Sequence, residues 1–131
     1  MHHTIALFGE AEKGEYSIPY FCKTLSELVN YFGNPPEDSH GLYFAVQAIL
    51  YHRNLIFLRV QEEGYSTDDY LIGVDFLKGQ KLIPEVTALC LPGVGTKNIL
   101  DTIQDALKPV YQFQNSILIM SERDLYDYMT D

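Results

Sequence analysis

No apolar run in this 131-residue chain approaches the roughly 20 residues a membrane-spanning helix needs, so no membrane association is expected. Basic residues are scarce. Nine Lys and Arg stand against eighteen Asp and Glu, and the net charge of −9 repels nucleic acid and anionic lipid alike. Neither is an expected partner. Only two cysteines occur, Cys22 and Cys90, in separate apolar contexts without metal or redox spacing. They read as buried free thiols. No His-x-x-x-His, paired cysteines or tight carboxylate cluster suggests a metal, and no Gly-x-Ser-x-Gly elbow suggests a nucleophile. No catalytic residue, metal or cofactor is expected, and hence no enzyme. The N-terminus shows no basic region leading into an apolar core, so a cytoplasmic location is the expectation. Internal repeats and low-complexity segments are missing as well.

What is present argues for one globular α/β domain. Hydrophobic residues make up 47% of the chain, enough for a real core. The stretch from Gly41 to Val60 organises the rest. Leu42, Ala45, Val46 and Ile49 recur at helical spacing, and Phe44, Ala48 and Leu50 leave little of the cylinder charged, so cover on more than one side is expected. His52-Arg53-Asn54 breaks the pattern, with His52 at a helix end where a cation is favourable. Leu55-Ile56-Phe57-Leu58 then reads as a strand buried on both faces.

In chain order, the apolar runs predict strands over 4–8, 55–60, 86–91 and 116–120, forming a mainly parallel sheet. Helices are predicted near 25–32, 41–52 and 97–108. Thr24-x-x-Glu27 is a capping box for the first, and Gly33 is its stop. Pro109 should end the third. Residues 16–21 look extended, with Pro19 placing them at a sheet edge or outside it. Residues 61–69 should be a polar surface loop. Over 70–82, Gly73 and Gly79 weaken an otherwise apolar pattern and leave a short helix or a turn. A further short helix after Ser121-x-x-Asp124 runs to Met129.

Two glycine turns invite a phosphate-binding reading. Gly9-x-x-x-x-Gly14 follows a strand, but Glu15 and Tyr16 stand where a Lys and a hydroxyl would be needed. Three glutamates in the segment would also repel an anion. Gly93-Val-Gly95-Thr96-Lys97 is the better candidate. It lies between a strand and a helix, where free amides and the helix dipole favour anions. Its plainer reading is an ordinary turn capped by Thr96, and the third glycine of the dinucleotide fingerprint is absent. The ten tyrosines suggest either a rim around the core or an interface, since a tyrosine ring buries area while its hydroxyl stays paired.

Four segments, taken in order, resemble the core domain of contractile tail sheath proteins of myophages and related injection systems. Ile5 to Gly14 is similar to an apolar strand followed by Gly-x-Ala-x-x-Gly and a proline, although here Glu15 to Ile18 precede Pro19. Lys23 to Gly33 is similar to Thr-Ser-Phe-x-Glu-Phe-x-x-x-Phe-Gly. Leu42 to Val60 resembles Tyr-x-Ala-Val-x-x-Phe-Phe, a glycine-rich turn and a strand ending in Val-Arg-Val, with His52-Arg53-Asn54 in place of the glycines and Leu58-Arg59-Val60 at the end. Val86 to Gly93 is similar to a strand ending in Ile-Pro-Gly.

The resemblance implies a structural, non-enzymatic protein that packs against itself or against other tail or injection-system proteins. It would be cytoplasmic, or part of a virion or injection system once assembled. Sheath subunits also carry an N-terminal arm and a further C-terminal domain that knit neighbours by strand exchange. Residues 1–131 read as the single core domain without either. The alternative is a small phosphate- or nucleotide-binding domain using Gly93, Gly95, Thr96 and Lys97.

Overall fold

The structure, a computed structural model, describes residues 4–79, 86–94, 97–111, 118–120, 125 and 127–129. Their order is β1 (Thr4–Gly9), β2 (Tyr20–Cys22), α1 (Leu25–Phe32), α2 (Gly41–Leu50), β3 (Asn54–Arg59), α3 (Thr67–Gly79), β4 (Ala88–Cys90), α4 (Lys97–Tyr111) and β5 (Leu118–Met120). The strands form one sheet in the order β2-β3-β1-β4-β5. β1, β3, β4 and β5 are parallel. Ile5 pairs with Leu55 on one side and with Ala88 on the other, and Ala88 pairs with Leu118. These are the four predicted strands, and the α/β class is as expected. The fifth strand, β2, is antiparallel to β3 with Tyr20 opposite Phe57. It starts directly after Pro19, at the edge where proline's missing donor is tolerated.

Side chains alternate along each strand and divide the core in two. Ile5, Leu7, Leu55, Phe57, Ala88 and Cys90 face one way, against α1, α2 and the buried Leu125 and Met129. Ala6, Phe8, Ile56, Leu58 and Leu89 face the other, against α3 and α4. Helices thus cover both faces, which is why the strands read as unbroken apolar runs.

The capping box forms. The Thr24 hydroxyl accepts from the Glu27 amide at 3.1 Å, and the Glu27 carboxylate accepts from the Lys23 amide at 3.3 Å. Gly33 stops α1 at φ 72°, its amide donating to the Val29 carbonyl. α2 is covered on only part of its circumference. Leu42, Ala45 and Ala48 are buried, while Tyr43 and Leu50 are 60% and 59% exposed.

Two helices differ from expectation. α3 is a 13-residue helix that starts three positions before the apolar pattern and ends at Gly79, whereas 80–82 lie outside the described residues. Gly73, which argued against it, is where it touches the sheet. A Cβ there would lie 2.6 Å from Phe8 Cε2 and 2.9 Å from Leu58 Cδ2. α4 continues through Pro109 to Tyr111. Pro109 stands two residues before the helix end, so the ladder bond it forfeits and the crowding of the preceding turn fall where the helix is finishing anyway. Residues 116 and 117 of the predicted last strand, and 121–124 before Leu125, lie outside the described residues.

Candidate functional site

In open α/β sheets, ligands bind beyond the carboxyl ends of the strands, at the point where successive connections diverge. Here that point lies between β1 and β4. β3 follows β1 on one flank, and β4 is added on the other. The residues leaving those strands are Glu10 after β1, the 61–66 loop after β3, and Leu91-Pro92-Gly93 after β4.

The crevice is filled by the chain itself. Glu63, 8% exposed, extends its carboxylate to the start of α2. Its Oε1 accepts from the His40 amide at 2.8 Å, and its Oε2 accepts from the Gly41 amide at 3.0 Å and the Glu10 amide at 2.8 Å. α2 has no side-chain cap of its own, because its N-cap residue is His40. A helix start presents unpaired amides and the positive end of the dipole. Glu63 supplies the missing acceptor and the complementary charge, in the position a bound phosphate would otherwise take. Gly9 and Gly41 allow the approach: a Cβ on Gly9 would sit 2.7 Å from the Gly41 Cα.

The loop that carries Glu63 is held at each successive amide. Gln61 donates to Asp69 Oδ2 at 2.8 Å, Glu62 to Ser66 Oγ at 2.7 Å, Glu63 to Glu10 Oε2 at 2.9 Å, and Gly64 to the Tyr70 hydroxyl at 2.7 Å. Burial pushes the Tyr70 hydroxyl up to about 12; the Gly64 amide pulls it down, and the Glu63, Asp69 and Glu10 charges add to the rise. It therefore stays a neutral hydroxyl. The expected polar surface loop over 61–69 is correct for Gln61, Glu62 and Tyr65, which are exposed, and wrong for Glu63, Gly64 and Asp69, which are buried, and for Thr67–Asp69, which open α3.

The two glycine turns are now placed. In the first, Glu10 donates to Glu63, and the Glu12 and Lys13 amides both donate to the Phe32 carbonyl at 3.0 and 3.2 Å. Those amides close the end of α1 and are not directed at a common anion. In the second, Gly93 takes φ 81° and packs on the 63–64 segment. A Cβ on Gly64 would lie 2.4 Å from the Gly93 carbonyl oxygen, and one on Gly93 would lie 3.2 Å from Glu63. Glycine is needed at both positions for backbone contact. Lys97 is the exposed first residue of α4, and Gly95 and Thr96 lie outside the described residues.

Sequence reasoning missed Glu63. The signal was masked: Asp38 and Ser39 stand directly before His40 and read as caps, but the Ser39 hydroxyl donates to the Pro36 carbonyl at 2.6 Å and α2 is left without a side-chain cap at His40. Such a start calls for an acceptor from elsewhere in the chain. Both cysteines are buried, and burial, with the Glu27 charge adding, pushes the Cys22 thiol up to about 12. A thiol held neutral in this way is a poor nucleophile. Among the described residues no cluster of His, Cys, Asp or Glu is arranged to hold a metal, and no helix is long and apolar enough to cross a membrane.

No protein-family model matches the chain, and no curated protein matches it significantly.

Proposed function

We propose that this chain is a structural, non-enzymatic protein, a sheath-like core domain that works by packing against copies of itself or against other tail or injection-system components. The observation that supports it is a contrast. The crevice where a doubly covered sheet would take a ligand is occupied by Glu63 and Gly64, while large apolar side chains face outward on the covering helices. Leu25 and Val29 are exposed on α1, Tyr43 and Leu50 on the neighbouring α2. Positions 43 and 50 are two turns apart and share one face. Such groups are scattered singly on many monomers, but several on adjacent helices mark a surface fit for another protein. The four sheath-like segments give the reading its identity; the exposed helices give it a surface.

The rival reading is phosphate or nucleotide binding at Gly93 to Lys97, of which Gly93 packs on Gly64, Lys97 is exposed, and Gly95 and Thr96 lie outside the described residues. The deciding experiment is sedimentation velocity over a range of concentration and salt, with Tyr43→Glu and Leu50→Glu as interface variants. Weak association that the variants abolish supports the proposal.

A further inference from the structure

At the opposite, amino end of β1 and β3 lies a cavity of about 430 Å³. Leu55, Ile49 and Phe21 give it apolar walls, and Lys23, His52 and Arg53 place three cationic or protonatable side chains around it. Three such residues together are unusual on a chain with nine Lys and Arg and a net charge of −9. The Glu27 carboxylate is close by, but it is engaged with the Lys23 amide and the Thr24 hydroxyl. Arg53 is fixed, its Nε and one terminal nitrogen donating to the Met129 carbonyl at 3.0 and 2.7 Å. Lys23 and His52 are exposed.

His52 carries a second, independent signal. It sits just past the end of α2 at φ 59°, in the left-handed region. The His52 amide donates to the Ile49 carbonyl and the Arg53 amide to the Ala48 carbonyl, the bonding pattern of a helix end that glycine normally fills. A side chain with a Cβ is strained there. Ser17 and Asp38 share this backbone elsewhere, but of the three only His52 lines this cavity, where it keeps a side chain at a position glycine normally takes.

We infer that this cavity binds a small organic anion, a carboxylate on an apolar body. The apolar part would lie along Phe21, Ile49 and Leu55, and the carboxylate would be met by Lys23 and His52. The volume suits a ligand of modest size. The site lies at the other end of the sheet from the Glu63 crevice and stands whether or not the packing proposal holds.

Octanoate is a suitable probe, with 1-octanol as its uncharged counterpart. In a titration followed by amide chemical shifts, octanoate should move Phe21, Ile49, His52 and Leu55 as one saturable set, and 1-octanol should not. The double variant Lys23→Gln, His52→Gly should weaken octanoate by about tenfold or more, since it removes the Lys23 charge-assisted contact and the His52 ring donor. His52→Gly alone should melt no lower than the parent, because glycine relieves the left-handed backbone. Absence of the saturable set at millimolar octanoate, equal binding of 1-octanol, or undiminished binding by the double variant would each overturn the inference. Lys23 is exposed and the His52 change favours the local backbone, so both variants fold.

Discussion

Glu10 and Glu63 exchange hydrogen bonds across the end of the sheet, each backbone amide donating to the other's carboxylate at 2.8 and 2.9 Å. Fifty-three residues separate them. The exchange ties the exit of β1 to the exit of β3, and Glu63 extends the tie to the start of α2. The two carboxylates face backbone amides and not each other's oxygens, so each oxygen that is bonded meets a donor.

Removing the carboxylate of Glu63 should therefore be costly. Glu63→Ala leaves the Glu10, His40 and Gly41 amides without their acceptor. At about 1–3 kcal/mol for each buried donor left unpaired, partly recovered by entering water, a loss of about 3 kcal/mol or more is expected from urea denaturation. Glu10→Ala removes one acceptor from a half-buried position and should cost about 1 kcal/mol. A loss for Glu63→Ala no larger than that for Glu10→Ala would remove the carboxylate from its place as the cap of α2.

Gly73→Ala separates helix propensity from packing. Alanine favours a helix interior by about 1 kcal/mol over glycine, which alone would stabilise α3. Against that stand Phe8 and Leu58 at clashing distance, and overpacking costs about 1–3 kcal/mol. Packing should win, and the variant should melt below the parent. A higher melting temperature would mean that α3 can lift from the sheet at little cost.

Stability should fall in alkali. The Cys22 thiol and the Tyr70 hydroxyl are both raised to about 12 in the fold, chiefly by burial. Unfolded, they release protons near pH ~8.5 and ~10 respectively. Between those values and about 12 the folded chain holds protons that the unfolded chain has lost, so stability is intact below ~8.5 and declines as pH rises toward 12. Tyr70→Phe should flatten the decline above pH ~10. It should also lower stability at neutral pH by about 1–3 kcal/mol, because the Gly64 amide loses its acceptor. Denaturation midpoints measured from pH 7 to 11 test both effects.

Lys97→Ala should leave the melting temperature nearly unchanged, with or without ATP, since an exposed side chain contributes under about 0.5 kcal/mol. ATP raising the melting temperature of the parent alone would favour the nucleotide reading of the Gly93 turn.

Much of the fold was legible because burial on both faces writes a strand as a plain apolar run. Thr4 to Phe8 and Leu55 to Leu58 could be placed with no knowledge of partners. α1 was legible for a local reason, the capping box at Thr24 and the glycine stop at Gly33. α3 was obscured by Gly73, whose reason for being glycine is the ring of Phe8, 65 positions away. Glu63 was harder still. In sequence it is one of several acids in a polar loop, and Ser39, directly before His40, reads as the cap that Glu63 supplies. β2 hid behind Pro19, which permits an edge strand and does not announce one.

On the packing proposal the outer helix faces, and not the carboxyl-end crevice, are the working surface. Sedimentation velocity across a concentration and salt series tests it most directly. The negative charge opposes close approach of identical subunits at low salt, and salt screens it. Contacts limited to exposed helix faces fall in the small, transient class, below about 1,200 Å² of buried surface. A monomer or weak dimer is expected in dilute, low-salt solution, with association rising toward moderate salt and lost in Tyr43→Glu and Leu50→Glu. A chain that stays strictly monomeric at every concentration and salt, or a tight oligomer indifferent to salt and to both substitutions, would contradict it.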